Sequence, residues 1–358
     1  MRALSVVGPI YGFGLCAVIA VVYHLMPGLT RPEVYFAVTV PARFRAQPEA
    51  LGALKRYRSW VWLHTVIAAG LVFLGIHIHR EVLFTVGFMW QTLGSLQAFL
   101  SARRVVLPHA AAPSTIREAA LQPAKPSLPG GAIAQSGPLL ILGAIAGYLA
   151  LHWHEIPTRF AVHWDLAGHP NRWINRSVPG VFGSLLTGVV LCAMMLVLSY
   201  GMLHWSRRVR VTGEPGRSEQ RFRGANSAIL LGAAYLIAVT FAGVSLLPLF
   251  AAGPGILPAV LMLVELVMLI AIFVILTRMG QGGTRSVPME QAGTPVGDRT
   301  SDSCWKWGIF YVNPDDPAVF VEKRFGIGYT LNFGSRRSWV ILVLIVAVPV
   351  MTSLIALR

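Results

Sequence analysis

Blocks of about 18–25 apolar residues recur along this chain, the length an α-helix needs to cross the hydrocarbon core of a bilayer. No other feature limits the possible folds so strongly. Lipid offers backbone N–H and C=O groups no water to bond with, so a spanning segment must satisfy them within a helix or a closed barrel. Seven such blocks and a shorter fourth one can be placed: Ser5–Met26, Trp60–His77, Val82–Leu100, Pro138–His152, Val181–Leu203, Ser227–Phe250, Ile256–Thr277 and Trp339–Leu357. Composition agrees, with 55% apolar and 13% charged residues against roughly 25% charged in soluble domains. The expected fold is an all-α polytopic membrane protein of about eight transmembrane helices.

Charge tests that placement. Of the 30 Lys and Arg residues, 24 fall in the loops after the first, third, fifth and seventh blocks, as 6, 4, 6 and 8. The other side holds Arg2, Arg80, Arg159, Arg172, Arg176 and Arg358. Cytoplasmic loops carry the excess of basic residues, so the heavy side is expected inside and both termini outside. The localisation expected is the cytoplasmic (inner) membrane. The net charge of +15 then reads as a topology signal rather than a nucleic-acid footprint. The opening Met1-Arg2 and apolar run lack a small-x-small cleavage site, which reads as a retained first span.

Composition also divides the chain. Residues 108–137 and 280–303 are rich in Gly, Ala, Ser and Pro without apolar periodicity, which reads as flexible cytosolic linker. They separate a three-span unit at 1–107, with a cytosolic loop at 27–59, from a four-span unit at 138–279. A small cytosolic domain at 304–337 and a last helix at 338–358 follow. Val34–Val40, Ala318–Lys323 and Tyr329–Phe333 have the β-branched and aromatic character of strands. We expect them to pair into one small sheet, since an isolated hairpin is only marginally stable. The three cysteines, Cys16, Cys192 and Cys304, suggest neither a disulfide framework nor a metal site.

The most unusual polar stretch lies between the fourth and fifth blocks, at residues 155–178. Its centre, His163-Trp164-Asp165-Leu166-Ala167-Gly168-His169-Pro170-Asn171-Arg172-Trp173, cannot sit in hydrocarbon and must form an extracytoplasmic cap. Asp165, Gly168 and Pro170 suit tight turns, while Trp164 and Trp173 suit the membrane interface. With His163, His169, Arg172 and Arg176 they also form a dense recognition surface for a peptide or polar headgroup. A purely structural cap explains the same residues. Six histidines near the outer ends of spans raise transition-metal binding, but no His-Glu-x-x-His or local ligand set supports it.

Glu265 is the one acidic residue inside a span, a functional candidate by position alone. It could couple protons or pack helices. Gln91 and Gln97 read as interhelical hydrogen-bonding groups. No nucleophile elbow, phosphate loop or dinucleotide fingerprint occurs in its required context, so no enzymatic activity and no cofactor are expected.

Ile156-Pro157 with His163-Trp164-Asp165-x-x-Gly168-x-Pro170-x-x-Trp173 resembles the signature of a bacterial family, domain of unknown function 1648, which includes SdpI-type immunity and signalling proteins. Tyr311-Val312-Asn313-Pro314-Asp315-Asp316-Pro317, Phe320-Val321, Lys323-Arg324, Gly326-x-Gly328 and Thr330-x-Asn332 resemble a second uncharacterised domain, number 5808. Phe36–Pro41 through Arg56-Tyr57 is similar to the N-terminal part of such proteins. The resemblance implies an outer surface for a secreted peptide and an inner site around Asn313, Asp316, Lys323, Gly326, Gly328 and Asn332 for a regulatory protein. This chain has Asp165, His169 and Arg176 where the family pattern has Asn, an acidic residue and Lys. The expected function is non-catalytic recognition of a peptide or envelope component. The alternative is a proton-coupled transporter or flippase-like carrier using Glu265. Membrane lipid is a partner in either case, and nucleic acid in neither.

Overall fold

The computed structural model describes residues 2–41, 43–80, 82–112, 127–164, 170–207, 213–249, 257–286 and 300–357. Eight long helices run through them: α1 Arg2–Leu29, α2 Pro48–His77, α3 Val82–Val106, α4 Gly131–Leu151, α5 Val178–His204, α6 Gly213–Leu246, α7 Leu257–Met279 and α8 Arg336–Leu357. Six helical segments, in α1, α2, α4, α5, α6 and α7, are long and apolar enough to cross a membrane. The protein is a multi-pass membrane protein. α3 occupies the place expected for the third span and is more polar, with Gln91, Thr92, Ser95 and Gln97 in its middle.

Helices α1–α3 form one bundle, with α2 and α3 paired along their lengths, and α4–α6 form another around a close α5–α6 pair. α7 packs on α1 and on α6, and α8 lies on α5. The helices are dressed for lipid. Large side chains such as Val66, Phe73, Leu140, Leu186 and Val267 face outward, while Ala68, Ala98, Ala234 and Ala238 fill the contacts. With hydrocarbon outside, close packing and interhelical hydrogen bonds hold helices together. Gly188 lets α6 approach α5 so closely that a Cβ there would lie 2.9 Å from Phe241 Cβ. Ser199 and Ser227 exchange side-chain and main-chain hydrogen bonds across the same pair, with their Oγ atoms 2.7 Å apart. Gln91 joins three helices, donating to Cys16 O at 2.9 Å and Thr65 Oγ1 at 3.0 Å. Gln97 does not share this role. It donates to Ser101, one turn along its own helix.

In α1 and α4 a proline within the helix leaves a carbonyl free, and that carbonyl finds a tyrosine. Pro27 has no N–H for Tyr23 O, which accepts from Tyr57 Oη on α2 at 2.8 Å. Pro138 likewise frees Ala134 O, which accepts from Tyr235 Oη on α6 at 2.9 Å. α4 therefore starts at Gly131, seven residues before the expected span, and passes straight through its proline.

The expected single sheet does not form. Among the described residues the strands make four separate two-stranded hairpins. Val34–Val40 is not one strand but two, β1 Val34–Tyr35 and β2 Val38–Thr39, turning at Phe36 and Ala37 with φ of 44° and 61°. That left-handed turn is strained for non-glycine residues. Packing holds it, because Phe36 is fully buried against Tyr57, Phe99 and Phe325 while Arg103 donates to Ala37 O at 2.6 Å. β7 Phe320–Glu322 and β8 Tyr329–Leu331 do pair, as expected, beside β5 Trp305–Lys306 and β6 Phe310–Tyr311.

Candidate functional site

The polar stretch between α4 and α5 forms an antiparallel hairpin, β3 Arg159–Trp164 and β4 Pro170–Asn175. Alternation along the strands sends Phe160, Val162 and Ile174 into a cluster with Leu149, Ile156 and Val181, seating the hairpin on the helix ends. The opposite face carries Trp173, 47% exposed, with the Arg159 guanidinium 5.9 Å from its ring centre. Register slips at Ala161/His163 and again at His163/Trp164, so the ladder is bulged towards its tip. Backbone pairing sets His163 opposite Arg172 and Trp164 opposite Pro170. The side chains of His163 and Trp164, and all of Asp165, Gly168 and His169, lie outside the described residues.

Arg176 serves the hairpin's base. Its Nη1 donates to Ile156 O at 2.7 Å, Trp153 O at 3.1 Å and His154 O at 3.3 Å, and its guanidinium lies over the Trp153 ring. It closes the turn Trp153–Glu155 that feeds the hairpin, and is held there rather than offered to a ligand. Pro170, Arg172 and Trp173 remain as the described part of the proposed outer surface.

α5 starts two residues after this hairpin, capped by Ser177 Oγ, which accepts from Gly180 N. Its 27 residues span about 40 Å and end on the C-terminal module. There Trp205 O accepts from Val319 N at 2.9 Å and Phe320 N at 3.2 Å, and Arg207 N donates to Phe320 O at 2.8 Å. The two motifs thus occupy opposite ends of one helix.

In the module, the motif residues are spent on internal bonds. Asn332, fully buried, donates through Nδ2 to the carbonyls of Asn313, Asp316 and Ala318 at 2.9–3.1 Å and accepts at Oδ1 from Asn313 N and Gly334 N. Asp316 accepts from Ala318 N and from Tyr311 Oη. Burial and the nearby Asp316 push the Tyr311 phenol up, so it remains a donor. Gly328, at φ 102°, adopts a conformation side chains rarely take, and both its N–H and C=O are clamped by the Gln281 amide at 2.8 and 2.9 Å. Gly326 also has positive φ, beside Met26, and Lys323 is exposed.

Sequence reasoning missed the joint that holds this module. Arg31, 5% exposed, lies 2.7 Å from Glu322 and 3.8 Å from Glu219. Burial disfavours the guanidinium's charge, but Glu322 and then Glu219 outweigh that and keep it protonated. Gly282 fits beneath, where a Cβ would lie 2.4 Å from Arg31 Nη2. Arg324 ion-pairs with Asp302 and also donates to Thr300 O, and Asp302 accepts from Thr39 Oγ1 at 2.8 Å. Residues 281–283, read as part of a linker, are therefore buried between α6 and the module, where Gly283 O accepts from Ser218 Oγ and Gln281 bonds Gly328. In the membrane, Glu265 Oε2 is 3.4 Å from Tyr11 Oη, linking α7 to α1. Among the described residues no group of three or more His, Cys, Asp and Glu could hold a metal ion.

Two family comparisons cover these two ends. Residues 140–189 match the domain of unknown function DUF1648, and residues 314–339 match the family of unknown function DUF5808. The chain carries both domains. The first match takes in α4 from Leu140, the hairpin and the start of α5, and the second takes in β7, β8 and the entry to α8. No curated protein matches the chain, and no solved structure does.

Proposed function

We propose that this protein is a non-catalytic sensor of the cytoplasmic membrane. Its hairpin recognises a secreted peptide or an envelope component outside, and its C-terminal module presents that state to a regulatory protein inside. The observation that carries the reading is α5, which begins at the hairpin and ends in hydrogen bonds to β7. A stiff element joining both ends lets a load on one bias the other. The exposed Trp173 with Arg159 over it has the aromatic and cationic character of recognition surfaces.

The test has two arms. Cysteines placed at Asn175 and Asp315 should be respectively modified and protected when intact cells meet an impermeant thiol reagent; the reverse pattern turns the reading inside out. In cells challenged with a toxic secreted peptide, Arg172→Ala with Trp173→Ala should abolish protection, and Glu265→Gln should leave it. Loss with Glu265→Gln alone, dependent on the proton gradient, would establish the carrier reading instead. The Tyr11–Glu265 contact favours helix packing for that carboxyl.

A further inference from the structure

Four aromatic rings form a file along the surface of the C-terminal module. Trp307, 70% exposed at the tip of the β5–β6 hairpin, meets Phe310 edge-on at 6.0 Å between ring centres. Phe310 meets Phe333 at 5.5 Å, and Phe333 meets Trp339 at 5.6 Å. Trp339 lies in the first turn of α8, 53% exposed, with its indole N–H donated to Phe333 O at 2.9 Å.

We propose that this file lies in the headgroup–acyl boundary of the leaflet that α8 enters, so that phospholipid covers it and the module is half-sunk in the membrane surface. Continuity fixes the occupant. α8 is a 22-residue apolar helix beginning at Arg336, so its first turn sits at the interface, and Trp339 with it. Phe333, Phe310 and Trp307 follow it at one, two and three edge-to-face contacts. The far end is held at the corresponding height by the other bundle, because Gly308 presses on the end of α3. A Cβ there would lie 2.8 Å from Ala37 Cβ and 2.9 Å from Arg103 Nη1. With its back against that surface, the hairpin tip projects Trp307 outward at φ 53°, a backbone angle unusual for so large a residue. Exposed Lys306, Arg336 and Arg337 flank the file and match the anionic headgroups of a cytoplasmic leaflet. An indole whose N–H is already bonded, as in Trp339, enters this zone with little polar penalty.

Collision measurements with a nitroxide read the depth directly. In a Cys304→Ser background in phosphatidylcholine–phosphatidylglycerol vesicles, labels would be placed in turn at Trp307→Cys, Phe310→Cys and Asp315→Cys. Dissolved oxygen should outcompete a water-soluble nickel chelate several-fold at 307 and 310, and the chelate should win at 315. The label at 310 leaves Trp307 in place, which separates depth from loss of an anchor. Chelate-dominated collisions at both 307 and 310 would overturn the proposal, as would protection from both reagents, which would mean that protein covers the file.

Discussion

The two ends of α5 use similar residue types in opposite ways. At the C-terminal module, Asn332, Asp316 and Asn313 are bonded to backbone groups, and Gly328 is clamped by the Gln281 amide. At the hairpin, the base is equally committed, through Phe160, Ile174 and Arg176, but one face is left open with Trp173 at its centre. A motif can mark architecture or contact, and burial tells which. The inner motif should fail by unfolding and the outer one by losing recognition.

The sharpest test of that contrast is Arg31→Met, which leaves Glu322 buried without the guanidinium 2.7 Å away. Breaking a buried pair from one side costs about 3–5 kcal/mol, which thermal unfolding in detergent should register, and adding Glu322→Leu should recover part of the loss. Asn332→Ala comes next. It strands three carbonyls and two N–H groups, and roughly 3 kcal/mol is expected from unsatisfied buried groups. Full stability would mean that the module is loosely built and the contrast false. Tyr57→Phe removes one hydrogen bond, about 1 kcal/mol. In a Pro27→Ala background the helix supplies that bond itself, and the same change should then cost much less. Trp173→Ala should alter unfolding by no more than about 0.5 kcal/mol, as surface changes do, while removing the outer response. A loss beyond about 1.5 kcal/mol would make the open face structural.

Much of this was legible in the residues. The spans follow from length and hydropathy, and the hairpin follows from polar, turn-forming residues between two spans. The sequence also exposed Gln91 as a polar group with nowhere to go but a neighbouring helix. Three things escaped because they depend on distant partners. Arg31 meets Glu322 across 291 positions, and no local pattern announces an ion pair between a loop and a distant strand. The Phe36–Ala37 turn has no glycine or asparagine; its pocket of Tyr57, Phe99 and Phe325 imposes it. Gln281 sits in a glycine-rich run that reads as linker, yet its amide matches the backbone of Gly328. The prolines in α1 and α4 did carry a signal, since each frees a carbonyl that something must satisfy.

The pairing of Arg31 with Glu322 also sets an order of assembly. The guanidinium leaves the ribosome 291 residues before its principal counter-ion. In the interval the arginine has water, or Glu219 once α6 has been inserted. The clasp between the loop after α1 and the β7–β8 module can therefore shut only once α2 to α7 have been made and β7 follows them. A copy cut short before β7 would keep that seam ajar, a ready mark for quality-control proteolysis.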